Sequence, residues 1–228
     1  MANSFWEHML QPSYDVLERK RRKALCKITR QDGAFGWGCL IYEPKVQNSD
    51  WSEYFIITSC RLIPKENFDA EKYKVEFTKS NSKSKCFQLG SIIKKSPFYN
   101  TSGLVVIFVD SECSELNHGR FRPKHCSILK DLEPKIGVKE SKPLFCYIES
   151  NRYKYTDGKL VPENDDSHLP SPVECCSTVL LEQGERNSKA VGILNFEVNE
   201  QQLICDPVWF KKSRVEDILG ELNCSLHG

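Results

Sequence analysis

The sequence predicts an all-β protein, because short apolar runs alternate with turn segments along most of its 228 residues. Residues 104–109 form the most strongly β-branched run, typical of a central strand. Residues 73–77 alternate strictly between apolar and charged side chains, as a half-exposed strand does. The polar segment 111–123 separates two groups of such runs. The length allows a substantial core, either as one domain or as two small barrels that share an interface.

The first group of predicted strands is centred on the apolar run 54–57, which ends in the small polar residues Thr58, Ser59 and Cys60. This pattern predicts a buried strand whose end presents short side chains at the edge of a site. Gly33 and the two residues before it predict a turn. The strands predicted in this group cover residues 24–28, 35–42, 54–57, 73–77, 86–93 and 102–110.

The second group repeats the pattern, with an Asp157-Gly158 hairpin turn and a long loop at 162–172 that is rich in proline and acidic residues. The predicted strands cover residues 126–129, 143–148, 154–161, 173–180, 190–195 and 202–205. Residues 213–222 carry apolar side chains on one face and predict a C-terminal α-helix. Apolar residues at loosely helical spacing before residue 24, interrupted at Pro12, predict a helical prefix.

Composition excludes several classes of protein. The net charge of +1 provides no global field for nucleic acid or an acidic membrane. Apolar runs are all shorter than the roughly 18 residues that span a bilayer, and the N-terminus lacks the pattern of a signal peptide. The eleven cysteines are odd in number and contain no CxxC pair, which argues against a zinc site and a disulfide scaffold. We expect reduced thiols in the cytoplasm or nucleus, with no metal and no cofactor.

The glycine-punctuated strand around Gly36 and Gly38, about 20 residues before Thr58, resembles the strand that precedes the catalytic histidine in trypsin-like serine proteases. The order of strands over residues 24–222, and the C-terminal helix, are similar to the intracellular, HtrA-like group of that family. The resemblance implies two six-stranded antiparallel β-barrels. The expected divisions are a helical extension over 1–23, a first barrel over 24–115 and a second barrel with the helix over 116–228.

The resemblance also places the catalytic triad. Arg61 stands at the position of the histidine, Gly103 at that of the aspartate and Cys175 at that of the serine. Arginine is permanently protonated and cannot act as a general base, and glycine has no side chain with which to orient one. Val173 and Cys176 replace the glycines of the nucleophile turn, which argues against a working oxyanion hole.

The leading interpretation is a catalytically inactive pseudoprotease that acts as a protein-interaction or scaffold module. Its partner would be a protein or an extended peptide added to a strand edge of the old cleft. One alternative is a cysteine-dependent peptidase that uses Cys175, with the charge of Arg61 lowering its pKa. This peptidase would still need a histidine, and only His168 is close to Cys175 in sequence.

A second alternative is a nucleic-acid-associated protein that uses short basic patches. The longest patch contains Arg19, Lys20, Arg21, Arg22 and Lys23; the others are Lys94 with Lys95, and Lys211 with Lys212. They lack interleaved aromatic residues and lie in a neutral chain, so the sequence argues against nucleic acid as a partner. A solvated helix face accounts equally well for residues 18–23.

Overall fold

The computed structural model describes residues 25–43, 53–77, 85–94, 96–110, 127–128, 143–149, 151–163, 174–183, 188–199 and 202–210. Within these ranges the chain forms fourteen β-strands and two single-turn 3₁₀ helices, Ala70–Lys72 and Leu89–Ser91. The strands are β1 Leu25–Arg30, β2 Phe35–Glu43, β3 Glu53–Ser59, β4 Tyr73–Phe77, β5 Lys85–Gln88, β6 Phe98–Tyr99, β7 Leu104–Val109, β8 Ser127–Ile128, β9 Leu144–Ile148, β10 Asn151–Thr156, β11 Lys159–Pro162, β12 Cys175–Glu182, β13 Lys189–Asn199 and β14 Gln202–Trp209.

The strands form two antiparallel groups. In the first, neighbouring strands follow the order β5, β4, β1, β2, β3, β7 and β6, and in the second the order is β11, β10, β9, β12, β13 and β14. A short parallel pairing of β2 with β12, through Phe35 with Cys175 and Gly36 with Ser177, joins the groups. Strand β8 also pairs with β2 in parallel. The prediction of an all-β fold is confirmed.

Three apolar clusters explain why several strands read as continuous apolar runs. In β3, Tyr54 and Ile56 pack into a cluster built from the first group of strands, whereas Phe55 and Ile57 face a cluster that also contains residues of β9, β12, β13 and β14. Successive side chains of a strand point to opposite faces. Because both faces of β3 and β7 are buried, neither strand shows a polar alternation. A third cluster is built from the second group together with Phe35 of β2.

Turn chemistry is as predicted at two positions. Gly33 has a φ of 93°, and the turn between β10 and β11 has a φ of 52° at Asp157 and 76° at Gly158. Two successive residues with positive φ are typical of the two-residue hairpin turn that Asp-Gly favours. The strand predicted over 86–93 is wrong in its second half. After β5 the chain makes a 3₁₀ turn, and Ile93 forms only an isolated bridge with Val109.

Several predictions lie outside the described residues. They are the helical prefix, the C-terminal helix over 213–222 and the divisions at 23/24 and 115/116. The division into domains therefore stays a prediction. In the described part of the chain, no helix is long and apolar enough to cross a membrane.

Candidate functional site

Arg61 lies two residues after the end of β3, and its side chain reaches across to the second group of strands. Its backbone N–H donates a hydrogen bond to Ser59 Oγ at 3.1 Å. Its guanidinium forms an ion pair with the carboxylate of Glu197 on β13. The Arg61 side chain is 33% exposed and that of Glu197 is 49% exposed. Arg61 therefore ties the end of β3 to β13 at a partly solvated surface.

A buried polar link lies beneath this ion pair. Ser59 Oγ donates to Oδ1 of Asn195 at 2.6 Å, and both residues are buried. Asn195 is paired with Ser177 of β12 in the adjoining ladder. Ser177 Oγ is buried and has no hydrogen-bond partner in the described part of the chain. Burying a polar group in an apolar interior costs free energy unless the group is hydrogen-bonded. Among the described residues at this junction, the Ser59 hydroxyl is hydrogen-bonded and the Ser177 hydroxyl is not.

Gly103 lies beside Cys60, the residue before Arg61. The backbone N–H of Cys60 donates to the carbonyl of Gly103 at 2.9 Å, immediately before β7 begins. Gly103 has a φ of +85°, a conformation that side-chain-bearing residues rarely adopt. This position offers no carboxylate to orient a base, and its backbone conformation would strain an aspartate.

Cys175 is fully buried at the start of β12 and packs with Cys146 and Cys205 in the cluster of the second group. Its Sγ donates to the carbonyl of Ser177 at 3.7 Å. Burial raises the pKa of the Cys175 thiol to about 12, and the opposing effect of Lys27 is smaller. The expectation that Arg61 lowers this pKa is therefore wrong. Desolvation disfavours the thiolate, and Cys175 is a neutral thiol near pH 7.

The charge of Arg61 acts on the thiol of Cys176. This half-buried residue packs against the cluster of the first group, on the opposite face of β12 from Cys175. Burial raises its pKa, while the charges of Arg30 and Arg61 lower it in part. Alignment of the sequence with a nucleophile turn does not show which of the two cysteines lies near Arg61. A shift of one residue along a strand moves a side chain to the opposite face.

Most of the other predicted contributors lie outside the described residues. Arg19, Lys20, Arg21, Arg22 and Lys23 lie outside the described residues, as do Lys95, Lys211, Lys212 and all five histidines. Lys94 is described and exposed. Within the described ranges, no group of three or more His, Cys, Asp or Glu side chains could hold a metal ion.

Comparisons with known proteins were made by sequence and by structure. No family model matches the sequence, and no curated protein matches it. Among solved structures, the scabies mite inactivated protease paralogue S-D1 matches with a TM-score of 0.53 at 8% identity, over 90% of this chain and 94% of that one. The fold is all-β and trypsin-like. Deg5 matches with a TM-score of 0.40 at 12% identity, over 85% of this chain and 87% of that one.

Proposed function

We propose that this chain is a pseudoprotease, a trypsin-like domain without catalytic activity that acts as a protein-interaction or scaffold module. The observation that carries the proposal is the ion pair between Arg61, at the position of the catalytic base, and Glu197 of β13. A residue that is permanently protonated and engaged by a carboxylate cannot accept the proton of a nucleophile. The scabies mite protein of similar fold is itself described as an inactivated protease paralogue, which is compatible with this proposal.

The residues at the other two triad positions also argue against catalytic activity. Hydrolysis of this kind requires a nucleophile, a base that is neutral near pH 7 and a group that orients the base. Gly103 offers no orienting group. Cys175 is buried, and its pKa of about 12 keeps it protonated. These features also work against the alternative of a cysteine-dependent peptidase that uses Cys175, because the reactive form of cysteine is the thiolate.

A strand edge beside Arg61 supports a binding role. The ladder between β12 and β13 ends at the pair of Ser177 with Asn195. Beyond it, residues 196–199 of β13 pair only with β14 among the described strands. An edge of this kind binds an extended peptide by adding a strand, with main-chain hydrogen bonds providing affinity and side-chain pockets providing specificity. A protein partner with an extended segment is therefore proposed.

The eight cysteines in the described ranges are all free thiols, and five of them are buried. Buried thiols of this kind behave as small apolar residues. They fit a protein that works in a reducing compartment, and we place its action in the cytoplasm or nucleus.

The proposal is tested by incubating the full chain with a proteome-derived peptide mixture and sequencing any new termini by mass spectrometry. Cys175→Ala and Cys176→Ala variants serve as matched controls. The proposal expects no cleavage above a heat-inactivated sample. Cleavage that disappears in one of the two alanine variants would show a cysteine peptidase and overturn the proposal. Retention of the chain on DNA or RNA with a steep salt dependence would instead favour the nucleic-acid alternative.

A further inference from the structure

The position of Arg61 relative to β13 is fixed by two hydrogen bonds. The backbone N–H of Arg61 donates to Ser59 Oγ, and Ser59 Oγ donates to Asn195 Oδ1, at 3.1 and 2.6 Å. Asn195 and Glu197 are two residues apart on one strand, so their side chains leave the same face. Arg61 is therefore held on the side of β13 toward which Glu197 points.

The guanidinium of Arg61 already holds a carboxylate, but only at a partly solvated surface. Glu197 is half exposed and Arg61 is one-third exposed. Exposed ion pairs contribute little to net stability. Exchanging the Glu197 carboxylate for another carboxylate as the partner of Arg61 therefore costs little free energy. A planar guanidinium also binds a carboxylate with two parallel hydrogen bonds, which makes it a selective receptor for that group.

Positive charge on this side of the molecule is not confined to Arg61. The charges of both Arg30 and Arg61 act on the thiol of Cys176. Arg30 is also engaged by an acidic residue of the chain, with its Nη2 2.6 Å from Oδ2 of Asp32. Asp32 opposes the effect of these two charges on Cys176, and each arginine holds an exposed carboxylate of the chain, so carboxylates are the groups that the arginines bind on this side of the molecule.

Among the described strands, β13 has no neighbour on its β12 side beyond Asn195. The β12 ladder ends at Asn195, and residues 196–199 pair only with β14 in the described part of the chain. A strand added to the open edge would place one of its side chains opposite Glu197, on the same face, with Cβ atoms about 4.5–5.5 Å apart. A carboxylate on that side chain would lie within reach of Arg61.

We infer that the site binds an extended peptide bearing an Asp or Glu side chain opposite Glu197, and that this carboxylate replaces Glu197 as the partner of Arg61. Glu197 then acts as a built-in competitor that keeps the arginine neutralised until the peptide binds. The inference rests on the proposed function and specifies its partner. The residue at the position of a catalytic base becomes the residue that selects the ligand.

The test uses ten-residue random peptides anchored to beads by their C-termini, so that no terminal carboxylate is present. The fluorescent full chain is screened beside its Arg61→Gln and Glu197→Gln variants. We expect the natural sequence to enrich peptides with one acidic position. Replacing that residue by its amide should weaken binding about tenfold, as loss of a charged hydrogen bond does. Glu197→Gln should bind the acidic peptide up to about threefold more tightly, because the competing pair is gone.

Arg61→Gln should lose the preference for acid over amide, and Arg61→Lys, which keeps the charge without the planar fork, should retain part of it. Circular dichroism confirms that each variant is folded. Enrichment of peptides with no acidic preference, or with a preference that Arg61→Gln leaves unchanged, overturns the inference but not the proposed function. Enrichment only in a second library with free C-termini overturns the side-chain assignment. No enrichment in either library overturns both.

Discussion

Gly36 lies against Ser177 in the pairing of β2 with β12, so we expect Gly36→Ala to destabilise the protein. An added Cβ would lie 2.7 Å from Ser177 Oγ and 2.8 Å from Leu62 Cδ2, and both neighbours are fully buried. Overpacking of this kind costs about 1–3 kcal/mol. Stiffening the unfolded chain recovers about 0.4–1 kcal/mol at most, so the net change is a loss of stability.

A double-mutant cycle with Ser177→Ala isolates the contact. Because Ser177 Oγ has no hydrogen-bond partner among the described residues, we expect Ser177→Ala alone to be nearly neutral or stabilising. Together with Gly36→Ala it removes the nearest clash, and we expect a favourable coupling of about 1 kcal/mol. Free energies of unfolding are measured by urea titration at constant m. Full stability of Gly36→Ala, or a coupling near zero, would refute the close approach of β2 and β12.

Three further outcomes follow from the site. Asn195→Ala removes the acceptor of the buried Ser59 hydroxyl and should lower the free energy of unfolding by about 1–3 kcal/mol in urea titration; an unchanged midpoint would contradict this bond. Arg61→His should not restore peptide hydrolysis, because Gly103 has no group to orient an imidazole; measurable turnover would show that another residue does so. Unfolded cysteine loses its proton near pH 8.5, whereas folded Cys175 retains it until about pH 12. The contribution of this thiol to the free energy of unfolding should therefore be fully present below pH 8.5 and fall as the pH rises. The loss from this thiol should be at most about 1.4 kcal/mol per pH unit. The Cys175→Ala variant should show a shallower slope.

The strands could be predicted from the sequence because their signals are local. The alternation in β4 and the Asp157-Gly158 turn depend on neighbouring residues alone, and both appear in the structure. The run 54–57 predicts a buried strand for the same reason. The partner of a strand is not a local property, so the parallel pairing of β2 with β12 could not be deduced from sequence.

The candidate site was predictable only in part. Arg61 and Gly103 follow and precede the paired strands β3 and β7, and the contact between these two strand ends is made by Cys60 with Gly103. The orientation of β12 depends on packing against both clusters, and sequence alone does not distinguish Cys175 from Cys176 as the thiol near Arg61. The sequence does not indicate Glu197, because its contact with Arg61 depends on how β13 packs beside the end of β3.

The proposed absence of catalytic activity requires that Cys175 is not an activated nucleophile. The most direct measurement is labelling of the folded protein at neutral pH with a cysteine-directed peptide electrophile, with the rate at each cysteine resolved by mass spectrometry. Among the eight described cysteines, we expect the exposed Cys86 to react first and Cys175 to react as slowly as the buried Cys26, whose pKa is also raised by burial. Faster labelling of Cys175 than of Cys86, abolished by mild unfolding, would show a reactive thiolate at Cys175 and overturn the proposal of an inactive domain.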